Sequence, residues 1–420
     1  MIVFYFIILS LNVILSQTSS LSLYGTGERI YSFDAHSISI GDSRLFTSNS
    51  SSFTLSSPST YYKNNQANLS MSVGFNKVTS NSIDEILSNN FHFISFGFPI
   101  TDNQYFMLSM NPKFRSDIIL YTDFNFIGAD ASNLDFDEDG EDDPMKYRNI
   151  YDLSGGISEI NSSFSSKINN NISLGFKAGK LFGTSTITDS LFFHAVDMDI
   201  DGNLINLDNI YTPGSQKTIN KYNYSSTTYQ LDMRFQILKK SILAFYFGQS
   251  DYLDVNVQSF KSNLDLDYEK KYEIKGYTDF GIGFQSNVYD NFGYILEFQK
   301  YDGFRSLENV NFLQNPDLDM RSYNIGTFMV YDDISNSKIN SINLNLGFYD
   351  KLFKINNRLI DNDLGITLGI GINYLNNNSF AISLASGKRN SEYNEFKNEK
   401  YYKLTFSFIS NTMWFIKEGD

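Results

Sequence analysis

The sequence predicts an all-β protein: a closed antiparallel transmembrane β-barrel of about 14 strands with an N-terminal plug. Three observations predict it. Past residue 65, polar and apolar residues alternate with period two in segment after segment, which gives each strand one polar and one apolar face. The connections between these segments alternate short and long, as they do in outer-membrane barrels. The only long apolar run is Ile2–Leu15, so the chain holds no set of apolar helices that could cross a membrane.

In chain order, the run Ile2–Leu15, followed by the small Ser16 before Gln17, reads as the apolar core and cleavage point of a secretory signal spanning 1–16. Residues 17–65 are Ser/Thr-rich and alternate little. On the barrel reading they form either a periplasmic tail or a plug in the lumen, which a ~14-strand barrel is wide enough to hold. Residues 66–420 form the barrel. Strands are expected near 69–78, 91–100, 104–113, 156–168, 171–181, 223–237, 241–249, 272–287, 291–301, 321–332, 340–350, 363–375, 378–388 and 400–410. Leu364, Ile366, Leu368, Ile370 and Ile372, for example, interleave with Gly365, Thr367, Gly369, Gly371 and Asn373. Short turns fall at 101–103, 169–170, 238–240, 288–290 and 376–377, with a slightly longer one at 333–340. Long loops fall at 79–90, 114–155, 182–222, 250–271, 302–320, 351–362 and 389–399, with Ile118–Phe126 as a further hairpin arm. An even strand number puts both ends of the barrel on the short-turn side. Because every backbone donor in hydrocarbon needs a partner, the sheet has to close on itself.

Tyr229–Ile237 is the most informative segment. Tyr229, Leu231, Met233, Phe235 and Ile237 share one face; Gln230, Asp232, Arg234 and Gln236 share the other. A charge facing lipid near the midplane would cost about 2–4 kcal/mol, so Asp232 and Arg234 are expected to face the lumen. Lys177 and Glu297 fall on polar faces in the same way. These residues are expected to line a wet interior and contact the plug or a ligand head group.

Composition excludes several classes. There are 33 Lys+Arg against 47 Asp+Glu, a net charge of −14, which argues against a nucleic-acid partner. The chain has no Cys, so disulfides, thiolate metal sites and cysteine nucleophiles are ruled out.

Two loops repeat the order D-x-D-x-D-G. Asp135, Asp137, Asp139 and Asp143 offer carboxylates and Glu141 a carbonyl; Asp197, Asp199, Asp201 and Asp208 offer carboxylates and Asn203 a carbonyl. Hard oxygen ligands at alternate positions before a Gly turn suit structural Ca²⁺. No cofactor is otherwise required. His36, His92 and His194 share no local motif with Ser or Asp, so no catalysis is expected.

Four segments resemble the long-chain fatty-acid transporter (FadL-like) barrels and their PorV-like relatives. His36-Ser-Ile-Ser-Ile-Gly-Asp-Ser43 is similar to the start of that family's N-terminal hatch. Ser56-Ser-Pro-Ser-Thr-Tyr61 sits where the family has Asn-Pro-Ala, with Ser57 in place of the Asn and Pro58 retained, both expected to contact the lumen wall. Phe96–Ile100 with Tyr105–Pro112 resembles the second and third strands, and Gly365–Gly371, Ala385–Arg389, Tyr402–Phe406 and Trp414-Phe415 resemble the end of PorV-like chains. The resemblance implies a 14-stranded barrel in the outer membrane of a Gram-negative-type bacterium. It implies passive uptake of hydrophobic or amphipathic small molecules, released sideways through the wall into the lipid bilayer. The alternative it implies is a PorV-like carrier that binds secreted protein cargo.

Overall fold

The computed structural model describes residues 20–23, 26–47, 54, 56–80, 86–121, 125–127, 145–195, 197–198, 204–205, 216–261, 266–306, 318–332, 338–355, 358–374, 378–390 and 398–412. Fourteen long strands form the wall: β1 (Ala67–Thr79), β2 (Ile86–Thr101), β3 (Gln104–Arg115), β4 (Met145–Lys167), β5 (Ile172–Ala195), β6 (Gln216–Leu238), β7 (Ser241–Ser250), β8 (Thr278–Asn287), β9 (Phe292–Asp302), β10 (Asp319–Asp332), β11 (Ile339–Ile355), β12 (Arg358–Tyr374), β13 (Asn378–Arg389) and β14 (Glu399–Thr412). Each pairs antiparallel with the next. The ring closes through β1 and β14, from Ala67↔Thr412 to Thr79↔Lys400. Closure removes both sheet edges, which would otherwise carry unpaired N–H and C=O groups into lipid.

The two faces of the wall invert the arrangement of a soluble protein. On β12, Leu364, Ile366, Leu368 and Ile370 are 39–56% exposed, while Thr367 is 0% exposed. On β6, Tyr229 and Leu231 point out while Gln230, Asp232 and Arg234 are buried. Among the described residues, buried polar side chains outnumber buried apolar ones. Half-exposed Leu and Ile on this scale would forfeit about 1 kcal/mol each in water; a bilayer is the solvent that suits this exterior.

Strands on the long-loop side run further than their periodicity predicts. β4, β5 and β6 span 23, 24 and 23 residues, about twice what crossing a bilayer needs, so their far halves stand above it. Much of the stretches read as loops at 114–155 and 182–222 is therefore strand. Ile118–Tyr121 and Asn125–Ile127 pair with β4. The stretch 351–362 is also mostly strand, because β11 runs to Ile355 and β12 starts at Arg358. The segment read as one strand at 272–287 divides. Leu266–Lys275 pairs with Leu253–Phe260 as a hairpin beside β6, and β8 begins at Thr278. The break sits at Gly276, where a Cβ would lie 2.1 Å from the Ser250 carbonyl oxygen.

The expected signal segment 1–16 lies outside the described residues. So do Asp135, Asp137, Asp139, Glu141, Asp143, Asp199, Asp201, Asn203 and Asp208. Only the flanks of the second acidic loop are described: Asp197 and Met198 pair with Ile205 and Leu204. Among the described residues, no cluster of three His, Asp or Glu side chains is placed to hold a metal.

Candidate functional site

The N-terminal segment, residues 26–47 and 56–66, touches the inner face of strand after strand around the ring. A single short segment can reach so many strands of a closed cylinder only from inside it. Its centre is α1 (Ala35–Ser39), capped by Asp34, whose carboxylate accepts from Ser37 N at 2.9 Å and Ser37 Oγ at 2.8 Å. The short polar residues of the lumen supply the partners its backbone needs. Ser407 Oγ on β14 accepts from Ala35 N at 2.7 Å, and Ser379 on β13 lies 3.1 Å from His36 Nε2. Thr367 on β12 donates to Ser39 O and accepts from Gly41 N, each at 2.9 Å. Asn345 on β11 donates to Ser39 Oγ at 2.7 Å, and Asn324 on β10 donates to Asp42 O at 2.8 Å.

The fit depends on inward-facing glycines. A Cβ at Gly347 would stand 2.0 Å from Gly41 N, and one at Gly326 2.4 Å from Ile40 O. These glycines, with Gly369 and Gly371 on β12, form a track on which residues 36–41 lie against the wall. The alternating sequence places them inside the lumen; it does not show why the side chain is missing. The reason is close approach of the segment: its backbone at Gly326 and Gly347, and the Ser39 and His36 side chains at Gly369 and Gly371.

Ion pairs tether the same segment. Arg29 and Arg44 both pair with Asp279 on β8, Lys351 on β11 pairs with Asp42, and Arg389 on β13 donates to Glu28 at 2.8 Å. Arg29 also stacks on the Tyr301 ring, 3.9 Å from its centroid. Burial pulls the Arg29 guanidinium down; Asp279 and the neighbouring Tyr301, Tyr31 and Tyr277 more than offset it and hold the group above its ordinary value. Burial pushes Asp42 up, but Lys351 prevails and holds it below the usual carboxylate range. Asp34 has hydrogen bonds but no cation, and burial pushes it up to about 6.

The residues singled out by sequence are distributed around this segment. Asp232 accepts from Ser59 Oγ, and Arg234 donates to Leu45 O. Glu297 accepts from Ser43 Oγ, from Arg44 N at 3.0 Å and from Leu45 N at 3.3 Å. Ser57 Oγ lies 3.4 Å from Ser59 Oγ, and Pro58 packs on Gly175 of β5, where a Cβ would be 2.7 Å from its own Cβ. Lys177 pairs within the wall. It lies 3.7 Å from Glu159, which Lys113 also approaches at 3.3 Å. Sequence reasoning missed Arg29, Arg44, Asp279 and Arg389. The wall members, Asp279 and Arg389, sit at inward positions of their alternating strands, which was the available signal.

Among the described residues, the wall opens between β2 and β3. The β2–β3 ladder runs from Thr101–Gln104 up to Ile94–Met110. Above it, Ile86–Phe93 pair with β1 and, among the described residues, not with β3. There β3 parts from β2 but stays paired with β4 as far as Arg115↔Gly156. Pro112 has no N–H and the register against β4 shifts between Pro112 and Phe114. Phe114 and Arg115 then pair with Arg29 and Glu28 of the inner segment. Gly155 and Gly156 on β4 and Gly183 on β5, at φ +109°, +150° and +157°, let the neighbouring strands bend at the same height. Behind the seam is a cavity of about 90 Å³, bordered by Asn90 and His92 of β2, Arg115 of β3 and Glu28–Ser32. Beside it, Phe114, Tyr277, Tyr301 and Phe304 pack ring on ring, with centroids 5.3–6.5 Å apart.

A closed fourteen-strand cylinder with an apolar exterior, a lumen that holds the N-terminal segment and a gap between its second and third strands defines an outer-membrane barrel of FadL-like fold. Solved structures bear this out. A FadL homologue of Pseudomonas aeruginosa aligns at TM-score 0.52 and 11% identity, over 92% of this chain and 100% of that one. The toluene transporters TbuX of Ralstonia pickettii and TodX of P. putida each align at TM-score 0.50, at 11% and 10% identity, over 91% of this chain and 98% and 99% of theirs. No curated protein sequence matches the chain. The BamG family profile matches residues 1–419. The chain belongs to the BamG family.

Proposed function

We propose that this barrel takes up a hydrophobic or amphipathic small molecule passively and releases it sideways into the membrane through the β2–β3 seam. The observation that carries the reading is the end of the wall's hydrogen bonding at Ile94–Met110, directly in front of an interior cavity. The buried aromatic cluster around Tyr277 and Tyr301 packs beside that cavity and gives the seam an apolar backing. The solved barrels of the same fold include transporters of toluene, an apolar molecule, which supports the reading. The N-terminal segment serves as the plug. It fills the lumen below the cavity and is itself part of the seam, because Glu28 and Arg29 hold β3 inward. Uptake needs that contact to persist or to rearrange, and no chemistry on the substrate.

The chain has no Cys, so a pair introduced as Asn90→Cys with Arg115→Cys can be bridged selectively by a reducible bifunctional reagent. Uptake of radiolabelled toluene is then followed in Gram-negative cells carrying the variant as their only such barrel. Bridging is expected to cut uptake about tenfold and reduction to restore it. Equal uptake in bridged and unbridged cells would show that the seam is not the route.

A further inference from the structure

At the opposite rim, where the short turns lie, a second cavity of about 250 Å³ opens under the N-terminal segment. It is lined by Lys63, Arg234, Lys239 and Lys240 against two carboxylates, Asp290 and Asp332. This is a positive basin in a chain of net charge −14. Asp290 is engaged by Lys240 at 2.8 Å. Among the described residues, Lys63, Arg234 and Lys239 have no carboxylate within ion-pair distance. Arg234 is 6% exposed, its Nη2 is held by Leu45 O, and its Nε is buried without a hydrogen-bond partner. A buried guanidinium N–H left unpaired is costly, and this one belongs to a side chain that borders the cavity. Lys63 borders the same space with its side chain exposed.

We infer that this basin binds a phosphate-type oxyanion between Lys63, Arg234 and Lys239. A tetrahedral oxyanion satisfies the Arg234 fork, neutralises the two lysines and fits the volume. Because Lys63 ends the turn Pro58–Lys63 and Arg234 holds Leu45, a bound anion ties two parts of the N-terminal segment to β6. The site lies on the other rim from the seam and does not depend on the uptake reading. The oxyanion can come from free phosphate or from the head group of an anionic phospholipid in the adjacent leaflet.

The full-length barrel in phosphatidylcholine nanodiscs is titrated with inorganic phosphate at constant ionic strength, read by thermal shift and by ³¹P line broadening. A second arm uses nanodiscs containing phosphatidylglycerol in a buffer free of inorganic phosphate. Saturable binding in either arm, weakened at least tenfold in Lys63→Gln/Lys239→Gln, is the expected result, and the arm that shows it names the source. Heat-modifiable gel mobility of the double variant verifies that it is folded. If chloride has the same effect as phosphate and phosphatidylglycerol has none, or if the double variant binds as the parent does, the inference is overturned.

Discussion

At Asp279, one carboxylate serves two arginines of the inner segment, and all three are buried. Removing a shared counter-ion leaves unpaired charge in a low-dielectric interior, a loss of about 3–5 kcal/mol. Asp279→Ala is therefore expected to release the segment while the wall survives. Limited proteolysis within residues 26–47 should become fast, and the heat-modifiable band should persist. Slow cleavage indistinguishable from that of the parent would contradict this. Gly347 makes the complementary case by shape. Gly347→Val puts carbon where Gly41 N now lies, and overpacking of this kind costs about 1–3 kcal/mol. Single-channel recordings in planar bilayers should then show open events that the parent lacks. These residues could be placed on the lumen side by their alternation, but their partners could not be named. An inward Gly or Asp has the same periodicity whether it faces water or a folded segment.

The short helix α1 links its packing to pH. Asp34 is buried and titrates near 6 in the folded state, against 3.8 ordinarily. A carboxyl whose folded pKa is raised binds its proton more tightly when packed. Its contribution is therefore full below pH ~4 and lost as pH rises through about 6, worth at most about 3 kcal/mol. Hydrogen exchange at Ala35–Ser43 is expected to quicken between pH 4 and pH 7 after correction for intrinsic rates. Asp34→Asn, which keeps an N-cap oxygen without the charge, should flatten that dependence. A corrected profile with the same slope in parent and variant would remove Asp34 as the cause. At this scale the strands themselves were the legible part. Expected and observed spans differ by a residue or two for β7, β9 and β13, because lipid on one side and a polar lumen on the other impose strict alternation. Legibility fails where that constraint ends. Above the membrane, β4, β5 and β6 have no lipid face to enforce the pattern, so their outer halves read as loop. The hairpin arm Leu266–Lys275 was merged with β8 because Gly276 looks like one more strand glycine. The inner segment has no period to read; its place is set by contacts with many strands at once.

For the whole molecule, the governing fact is that the exterior is solvated by hydrocarbon. The closed register from β1 to β14 satisfies backbone groups whatever the solvent, so closure by itself does not distinguish a lipid bath from water. The side chains do. Leu364, Ile366, Leu368 and Ile370 on β12 project away from a lumen that holds the N-terminal segment, and among the described residues no second protein layer covers them. Leu368 lies near mid-height of the membrane-crossing part of β12, between Thr367 and Gly369, which face inward. Leu368→Lys places an ammonium at the bilayer midplane at a cost of about 2–4 kcal/mol, whereas the same charge near an interface costs about 0–1 kcal/mol. Urea-induced unfolding in phosphatidylcholine vesicles should therefore show Leu368→Lys destabilised by that larger amount, and Tyr402→Lys, higher on the wall, destabilised by much less. In detergent micelles, where head groups and water approach more closely, the difference should shrink. Equal losses at the two positions in vesicles would mean that this face does not meet a hydrocarbon slab, and both the membrane setting and the sideways exit through the seam would fail with it.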